Sequence, residues 1–138
     1  MIGYIMFRLT DRELACRLDE VREVVRLDAL EVLPGMTAPI TGLLELRGHP
    51  LPICDLRAGT TESRAGRRGD VLVLATGVDA IGVVVDQVTA VFDEAELVPG
   101  EERPSGLPGY VVNVMRRPAA GSSPVLLVDL RQLLAIAA

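Results

Sequence analysis

Aromatic side chains are scarce in this chain. Tyr4, Phe7, Phe92 and Tyr110 make up its 3% aromatic content, and tryptophan is absent. Single-stranded nucleic acids are held by stacking bases on aromatic platforms, and four scattered rings cannot build such a surface. Basic charge is also short, with 14 Lys and Arg against 19 Asp and Glu and a net charge of -5. A phosphate backbone demands a strong basic patch, so nucleic acid is excluded as the main partner. Cysteine occurs twice, as Cys16 and Cys54, each inside an apolar, strand-like run. Two buried thiols acting as small hydrophobes account for both, and nothing points to the oxidising compartment a disulfide needs. The one histidine, His49, lies between Gly48 and Pro50. One His and two Cys without ligand spacing give no metal site, and no cofactor is implied. Long apolar runs are missing too. Val71 to Ala75 is far below the roughly 20 residues a spanning helix needs, and no basic-then-apolar leader precedes the first strand. The expectation is a cytosolic protein without direct membrane insertion.

What is present is apolar and strand-like. The 138 residues are 49% hydrophobic, enough for one domain with a real core. Tyr4 to Leu9 and Glu13 to Leu18 read as a hairpin around Thr10-Asp11-Arg12. In its second strand Leu14, Cys16 and Leu18 share one face and Glu13, Ala15 and Arg17 the other, a half-buried pattern. Asp19 is placed to cap a short helix carrying Val21, Val24 and Val25, against the β-preference of those valines. Pro34, Gly35 and Pro39 mark a loop. Val71 to Thr76 and Ala80 to Val85 form a second hairpin around Gly77-Val78-Asp79, and Val88, Val91 and Phe92 continue the apolar pattern. Residues 99–109 are a Pro and Gly loop. Tyr110 to Met115 and Pro124 to Val128 are further strands. Asp129 then opens a helix with Leu130, Leu133, Leu134 and Ala137 at helical spacing. Many short strands with little helix predict an all-β, barrel-type fold.

The Arg/Gly-rich stretch Arg57 to Gly69 reads as a mobile connection that divides two halves. An internal echo supports that plan: Ile53-Cys54-Asp55-Leu56-Arg57 resembles Leu127-Val128-Asp129-Leu130-Arg131. Asp55, Asp86 and Asp129 each end an apolar strand. Paired carboxylates there would do acid–base work if held close, but Asp at a strand end ordinarily caps the turn that follows. No nucleophile elbow, phosphate-cradling glycine loop or zinc helix is present. Ser122 and Ser123 have no partner histidine near them in sequence. No catalytic residue is assigned, and the chain reads as a non-enzyme.

Binding remains, and one stretch carries it. Gly42-Leu43-Leu44-Glu45-Leu46-Arg47-Gly48-His49-Pro50-Leu51-Pro52 is apolar except for a guanidinium beside a glycine and two prolines. Arg is favoured at interfaces because its planar fork bonds directionally while its stem packs. Gly48 would let another backbone approach, and Pro50 and Pro52 remove two amide donors and stiffen the strand. Arg47 is therefore either a partner's anchor or half of an internal ion pair with Glu23 or Glu45.

Taken in order, these pieces resemble the CheW-like coupling proteins of bacterial chemosensory arrays. The resemblance runs from about Tyr4 to Leu134. It is carried by the first hairpin, Asp19-Glu20-Val21-Arg22-Glu23-Val24, the stretch Gly42 to Leu56, Gly82-Val83-Val84-Val85-Asp86-Gln87-Val88 and the closing Leu127 to Leu134. It implies one CheW-like domain over residues 1–138, built as two small SH3-like five-stranded β-barrels on a shared core. A short helical turn near 20–25 and a C-terminal helix would complete it. It implies a non-enzymatic adaptor that couples the cytoplasmic tips of chemoreceptors to the regulatory domain of the histidine kinase CheA, at membrane-associated receptor arrays. Because that regulatory domain is itself similar to CheW, pairing barrel to barrel and self-association in rings are implied as well. By position, Val21, Glu23 and Arg47 match residues implicated in receptor contact. Gly42 and Asn113 match positions implicated in kinase coupling.

Three departures stand out. The family usually has Asn at the position of Glu45, whose carboxylate two residues from Arg47 is placed to compete for the guanidinium. It often has Gly at the position of Asn113, a residue that tolerates the left-handed backbone. The chain also begins almost at its first strand. These favour a divergent paralogue, and leave open an adaptor of another chemosensory pathway, controlling surface motility or gene expression. A small-ligand-binding or enzymatic β-barrel is the remaining alternative.

Overall fold

Two hairpins of near-identical design organise the chain. A computed structural model describes residues 3–28, 30–59, 63, 64, 66–77, 79–100, 105–118 and 123–137. Val78 of the second hairpin turn, residues 101–104 of the Pro and Gly loop, and Ser122 lie outside them. The strands are β1 (Gly3–Leu9), β2 (Arg12–Arg17), β3 (Glu23–Leu27), β4 (Gly42–Leu46), β5 (His49–Asp55), β6 (Gly69–Thr76), β7 (Asp79–Val85), β8 (Gln87–Asp93), β9 (Val98–Pro99), β10 (Val111–Arg116) and β11 (Val125–Val128); helix α1 (Leu130–Ala137) follows. They form two curled sheets in the orders β8-β1-β2-β11-β10-β9 and β3-β6-β7-β5-β4. The all-β expectation with two barrel-like units and a C-terminal helix therefore holds, the first sheet gaining the two-residue strand β9 as a sixth member.

The internal echo is a true structural repeat. In the first sheet the hairpin β1–β2 takes β8 on one side and, in parallel, β11 on the other, with Leu127 opposite Ala15. In the second, the hairpin β6–β7 takes β3 on one side and, in parallel, β5 on the other, with Ile53 opposite Gly82. Each hairpin thus pairs with strands from the other half of the chain. Arg57 to Gly69 does divide the sequence into two repeats, yet each sheet is assembled from both.

Alternation places the cores. Ile5 and Phe7 of β1 and Leu72 and Leu74 of β6 meet in a core shared by the two sheets, with Leu14, Cys16, Val83, Val85, Val111, Val128 and Leu130. The intervening residues point inward: Tyr4, Met6 and Ala15 into the first sheet's own core, Val71 and Val73 into the second's. The middle of strand β2, Leu14 to Cys16, is consequently buried on both faces, with Ala15 fully covered, while Arg17 and Leu18 are exposed. This corrects the half-buried reading at Ala15, because the curled first sheet closes its own core over that face while the shared core covers Leu14 and Cys16.

The helix expected near 20–25 is also corrected. One 3-10 turn, Leu18–Glu20, is all that forms, and Glu23 to Leu27 is strand. The valines are stiff at χ1 and fit a pleated surface better than a helix, and β6 supplies the partner strand. Helix α1 begins as expected: Asp129 Oδ1 accepts the amides of Arg131 (3.0 Å) and Gln132 (3.2 Å). Asp55 takes the amide of Arg57 at 3.0 Å and Asp86 that of Thr10 at 2.7 Å. All three strand-ending aspartates are turn acceptors rather than a converging carboxylate set.

The stretch Arg57 to Gly69 is fastened where it is described. The Arg57 side chain is fully buried against Asp55, and bonds the carbonyls of Arg64, Arg67 and Arg68.

Candidate functional site

The β4–β5 hairpin turns on two residues, Arg47 and Gly48, with φ of +49° and +82°. Two left-handed residues in a two-residue loop match the right-handed twist of the strands they join. Gly48 is there for that conformation and not for a close approach, since a Cβ on it would meet nothing within 4 Å. Arg47 occupies a position where Asn or Gly is favoured, and a backbone held in that region by a residue with a long side chain points to function.

Leu46 and His49 close the turn as a pair. In a two-residue hairpin this is a mutually bonded pair, and bonded pairs then alternate along the ladder. Pro50 and Pro52, opposite Glu45 and Leu43, fall on the alternate positions, whose amides would face away from β4. On that side β5 pairs with β7 only from Ile53 onward. The two prolines therefore cost no ladder bond to β4 and offer none to β7, so the outer half of β5 stands apart from its neighbour. The gap is an open groove of about 790 Å³. Leu46, Pro50, Leu51 and Ile81 supply apolar wall, and Arg22, Glu23, Arg47 and Asp79 the charge.

Glu23 and Arg47 meet across the groove. The guanidinium donates Nη1 to Glu23 Oε2 at 3.1 Å and Nη2 to Oε1, a two-pronged bond. The Arg47 side chain is 67% exposed and that of Glu23 28%. Of the alternatives open for Arg47, the internal partner is Glu23. Glu45 is exposed and makes no ion pair among the described residues, because the left-handed turn breaks the strand alternation that would have put the two on one face. Bonding to Arg47 holds the Glu23 carboxyl below the ordinary carboxylate range, and raises the guanidinium's own pKa. Val21, the third residue matched to receptor contact, is half-buried on the shared core.

The first sheet also carries an arginine just beyond the strand equivalent to β4. Arg117, just beyond β10, bonds Glu13 of β2 and lies 5.8 Å over the ring of Phe92.

Gly42 and Asn113 lie far apart in sequence but occupy equivalent places in the repeat. Gly42 pairs with Ile53 and Asn113 with Leu127, the two residues that face β7 and β2 in parallel. Gly42 is buried, and a Cβ on it would lie 2.6 Å from Leu30 Cγ and 2.8 Å from the Glu31 carbonyl oxygen. Its smallness lets the segment at Glu31 bridge to Leu43 and close the barrel. Asn113 sits at a register shift in β10, and its own Oδ1 accepts the amide of Val114 at 2.8 Å. Its backbone is not left-handed, so the tolerance of Asn for that conformation is not used here, and its side chain instead accepts the next amide beside the register shift.

The resemblance implied a groove beside Arg47, but sequence reasoning did not name its lining, which includes Arg22, Pro50, Pro52 and Asp79 to Ile81. The signal was the proline pair, which was read for stiffness and not for the strand separation it permits. Among the described residues no three His, Cys, Asp or Glu side chains converge as metal ligands, and no helix is long and apolar enough to cross a membrane.

Residues 3–138 match the family model of the CheW-like domain. The chain is 36% identical over 87 residues to protein FrzA of Myxococcus xanthus, an alignment covering 62% of this chain and 54% of that protein. It is 31% identical over 87 residues to the probable chemotaxis protein CheW of Rhizobium etli, covering 62% and 56%. The chain thus spans about half the length of the curated relatives it matches. In three dimensions it superposes on the scaffolding protein TtCheW of Thermoanaerobacter tengcongensis with a TM-score of 0.65, at 18% identity, over 93% of this chain and 88% of that one. That likeness carries the fold, and the match along nearly the whole sequence carries the family: this chain belongs to the CheW-like domain family.

Proposed function

We propose that this chain is a non-enzymatic adaptor that couples the cytoplasmic tip of a chemoreceptor to the regulatory domain of the histidine kinase CheA, at membrane-associated arrays in the cytoplasm. The observation that carries the reading is the open groove between β5 and β7, crossed by Arg47 and Glu23. Its apolar walls suit one face of an amphipathic helix, and its guanidinium is a directed, exposed anchor.

The kinase contact falls to the outer strands. β3 and β8 are the outermost strands beside the two hairpins and are equivalent in the repeat. Each presents an exposed valine at the same register, Val24 opposite Leu72 and Val91 opposite Ile5. Two matched edges on one molecule support pairing with a related barrel, and head-to-tail association into rings. Gly42 acts on such contacts through packing, not by touching a partner.

Glu45 and Asn113 depart from the family pattern and favour a second reading, a divergent adaptor of another chemosensory pathway with the same geometry. Recovery of the tagged chain from its own cells tests the proposal. A receptor and a histidine kinase should be retained together; recovery of neither, under conditions that keep membranes associated, would remove it.

A further inference from the structure

Neither half of this chain can complete a sheet by itself. Residues 3–55 give the hairpin β1–β2 to one sheet and β3, β4 and β5 to the other; residues 69–128 do the reverse. The only covalent link between the halves is the connection of residues 56–68. We propose that this chain can exchange halves with a second copy of itself, forming a swapped dimer, and that Arg57 is the lock that keeps the exchange within one chain.

A swapped dimer would reuse every register of the monomer: β3 on β6, β5 beside β7, β8 on β1 and β11 beside β2. All the interior contacts between halves are the same in both forms. The two differ only in the connection and in the entropy of joining two molecules, the situation in which exchange of an identical element is a low-cost route to a dimer. Extended, residues 56–68 would reach roughly 40 Å, at about 3.3 Å per residue.

Arg64 and Arg67 reach back to the carbonyls of Asp55, Arg57 and Ala58, but the buried tie that gathers most of the connection is the Arg57 side chain. Arg57 Nε and Nη2 bond the Asp55 carboxylate at 3.0 and 2.8 Å. Nη1 bonds the Arg67 and Arg68 carbonyls at 2.9 and 3.1 Å, and Nη2 bonds the Arg64 carbonyl at 2.6 Å. Both members of the ion pair are fully buried. The guanidinium, at the exit of β5, thereby gathers the carbonyls that lead into β6. Extending the connection would strip the three carbonyl bonds and leave a buried guanidinium, still paired with Asp55 two residues away, with its other donors unsatisfied, which is costly. The second repeat contrasts: Arg131, at the position echoing Arg57, is exposed and reaches a single carbonyl, that of Ala75.

The test is refolding from urea at about 100 μM, followed by size-exclusion chromatography with light scattering. The variant Asp55→Asn/Arg57→Gln removes the guanidinium without leaving a lone charge. It should return a dimer fraction several-fold above the wild-type chain, with an unchanged far-ultraviolet spectrum. The dimer should persist for hours on dilution, since exchange requires breaking strand pairs. Tagged and untagged chains should form mixed dimers only when unfolded together. Arg57→Lys keeps the charge but cannot gather the carbonyls; its dimer fraction should be intermediate, and it supplies the readout if the double variant does not fold. A dimer fraction equal to wild type in whichever variant folds would overturn the proposal. So would dimers that dissociate on dilution without unfolding, which are edge-to-edge contacts.

Discussion

Arg47, at the tip of the β4–β5 hairpin, and Glu23, at the start of β3, are joined fork to carboxylate across the groove that opens between β5 and β7. The pair lies at the surface, where solvent screens it and ion pairs contribute little to stability. Its place in the account is in binding, and that separates anchor from brace.

Arg47→Ala should leave the melting temperature within about 2 °C of wild type. Affinity for a receptor-tip fragment should fall roughly thirtyfold, as when a hot-spot residue is truncated. Titration calorimetry beside a denaturant melt reads both. A large loss of stability with unchanged affinity per folded molecule would show a brace. Glu45→Asn should change affinity less than twofold, because Glu45 does not engage the guanidinium.

Burial pushes the Cys16 thiol up to about 12, with Glu20 adding to the effect, and burial pushes Cys54 up to about 11. Both are covered in the core. At pH 8 neither presents the reactive thiolate. Iodoacetamide should label neither in native buffer within an hour and both in urea. Rapid native labelling would mean that β2 and β5 do not pack as described.

Gly42→Ala would push a methyl into Leu30 and the Glu31 carbonyl. Overpacking of this kind costs about 1–3 kcal/mol, so the urea midpoint should drop. Kinase binding, corrected for the folded fraction, should not change. A binding loss without a stability loss would place Gly42 at the interface itself.

The pKa of Glu20 is raised, first by burial and then by the charge of Asp129, with Asp19 contributing; the Leu130 amide and Arg131 act in the opposite direction. One of its oxygens is buried with no hydrogen-bond partner among the described residues. A carboxyl with a raised folded pKa binds its proton more tightly in the folded chain. Its contribution is therefore full below the ordinary glutamate range and is lost as the pH rises above it. Glu20→Gln should raise the melting temperature at pH 7–8, and the gain should vanish toward pH 4. A gain that is the same at every pH would assign the effect to packing.

The hairpins and the C-terminal helix were legible because their signals are local: alternation in β1, β2, β6 and β7, turn residues between them, and Asp129 before a helical stripe. The helical turn was misplaced because Asp19 signals a cap while Val24 and Val25 obtain their strand conformation from β6, about fifty residues away in sequence. Burial of Ala15 and Arg57 was hidden for a related reason. The curl of the first sheet closes its own core over Ala15, and the carbonyls of Arg64, Arg67 and Arg68 surround Arg57, and neither leaves a mark in the neighbouring residues. Arg47 could be singled out but not resolved, since its partner depended on a left-handed turn that redirects the side chain from Glu45 to Glu23. The echo between Ile53 to Arg57 and Leu127 to Arg131 was readable. The exchange of halves behind it required the strand order.

The adaptor account stands or falls on bridging. Sedimentation velocity on three purified components, a receptor-tip fragment, the regulatory domain of the kinase from the same cell and this chain, tests it most directly. The account predicts a species containing all three, absent when the chain is left out. With Arg47→Ala that species should reduce to a complex of chain and kinase domain alone. Receptor and kinase fragments that associate equally well without the chain, or a chain that sediments alone in the presence of both, would contradict it.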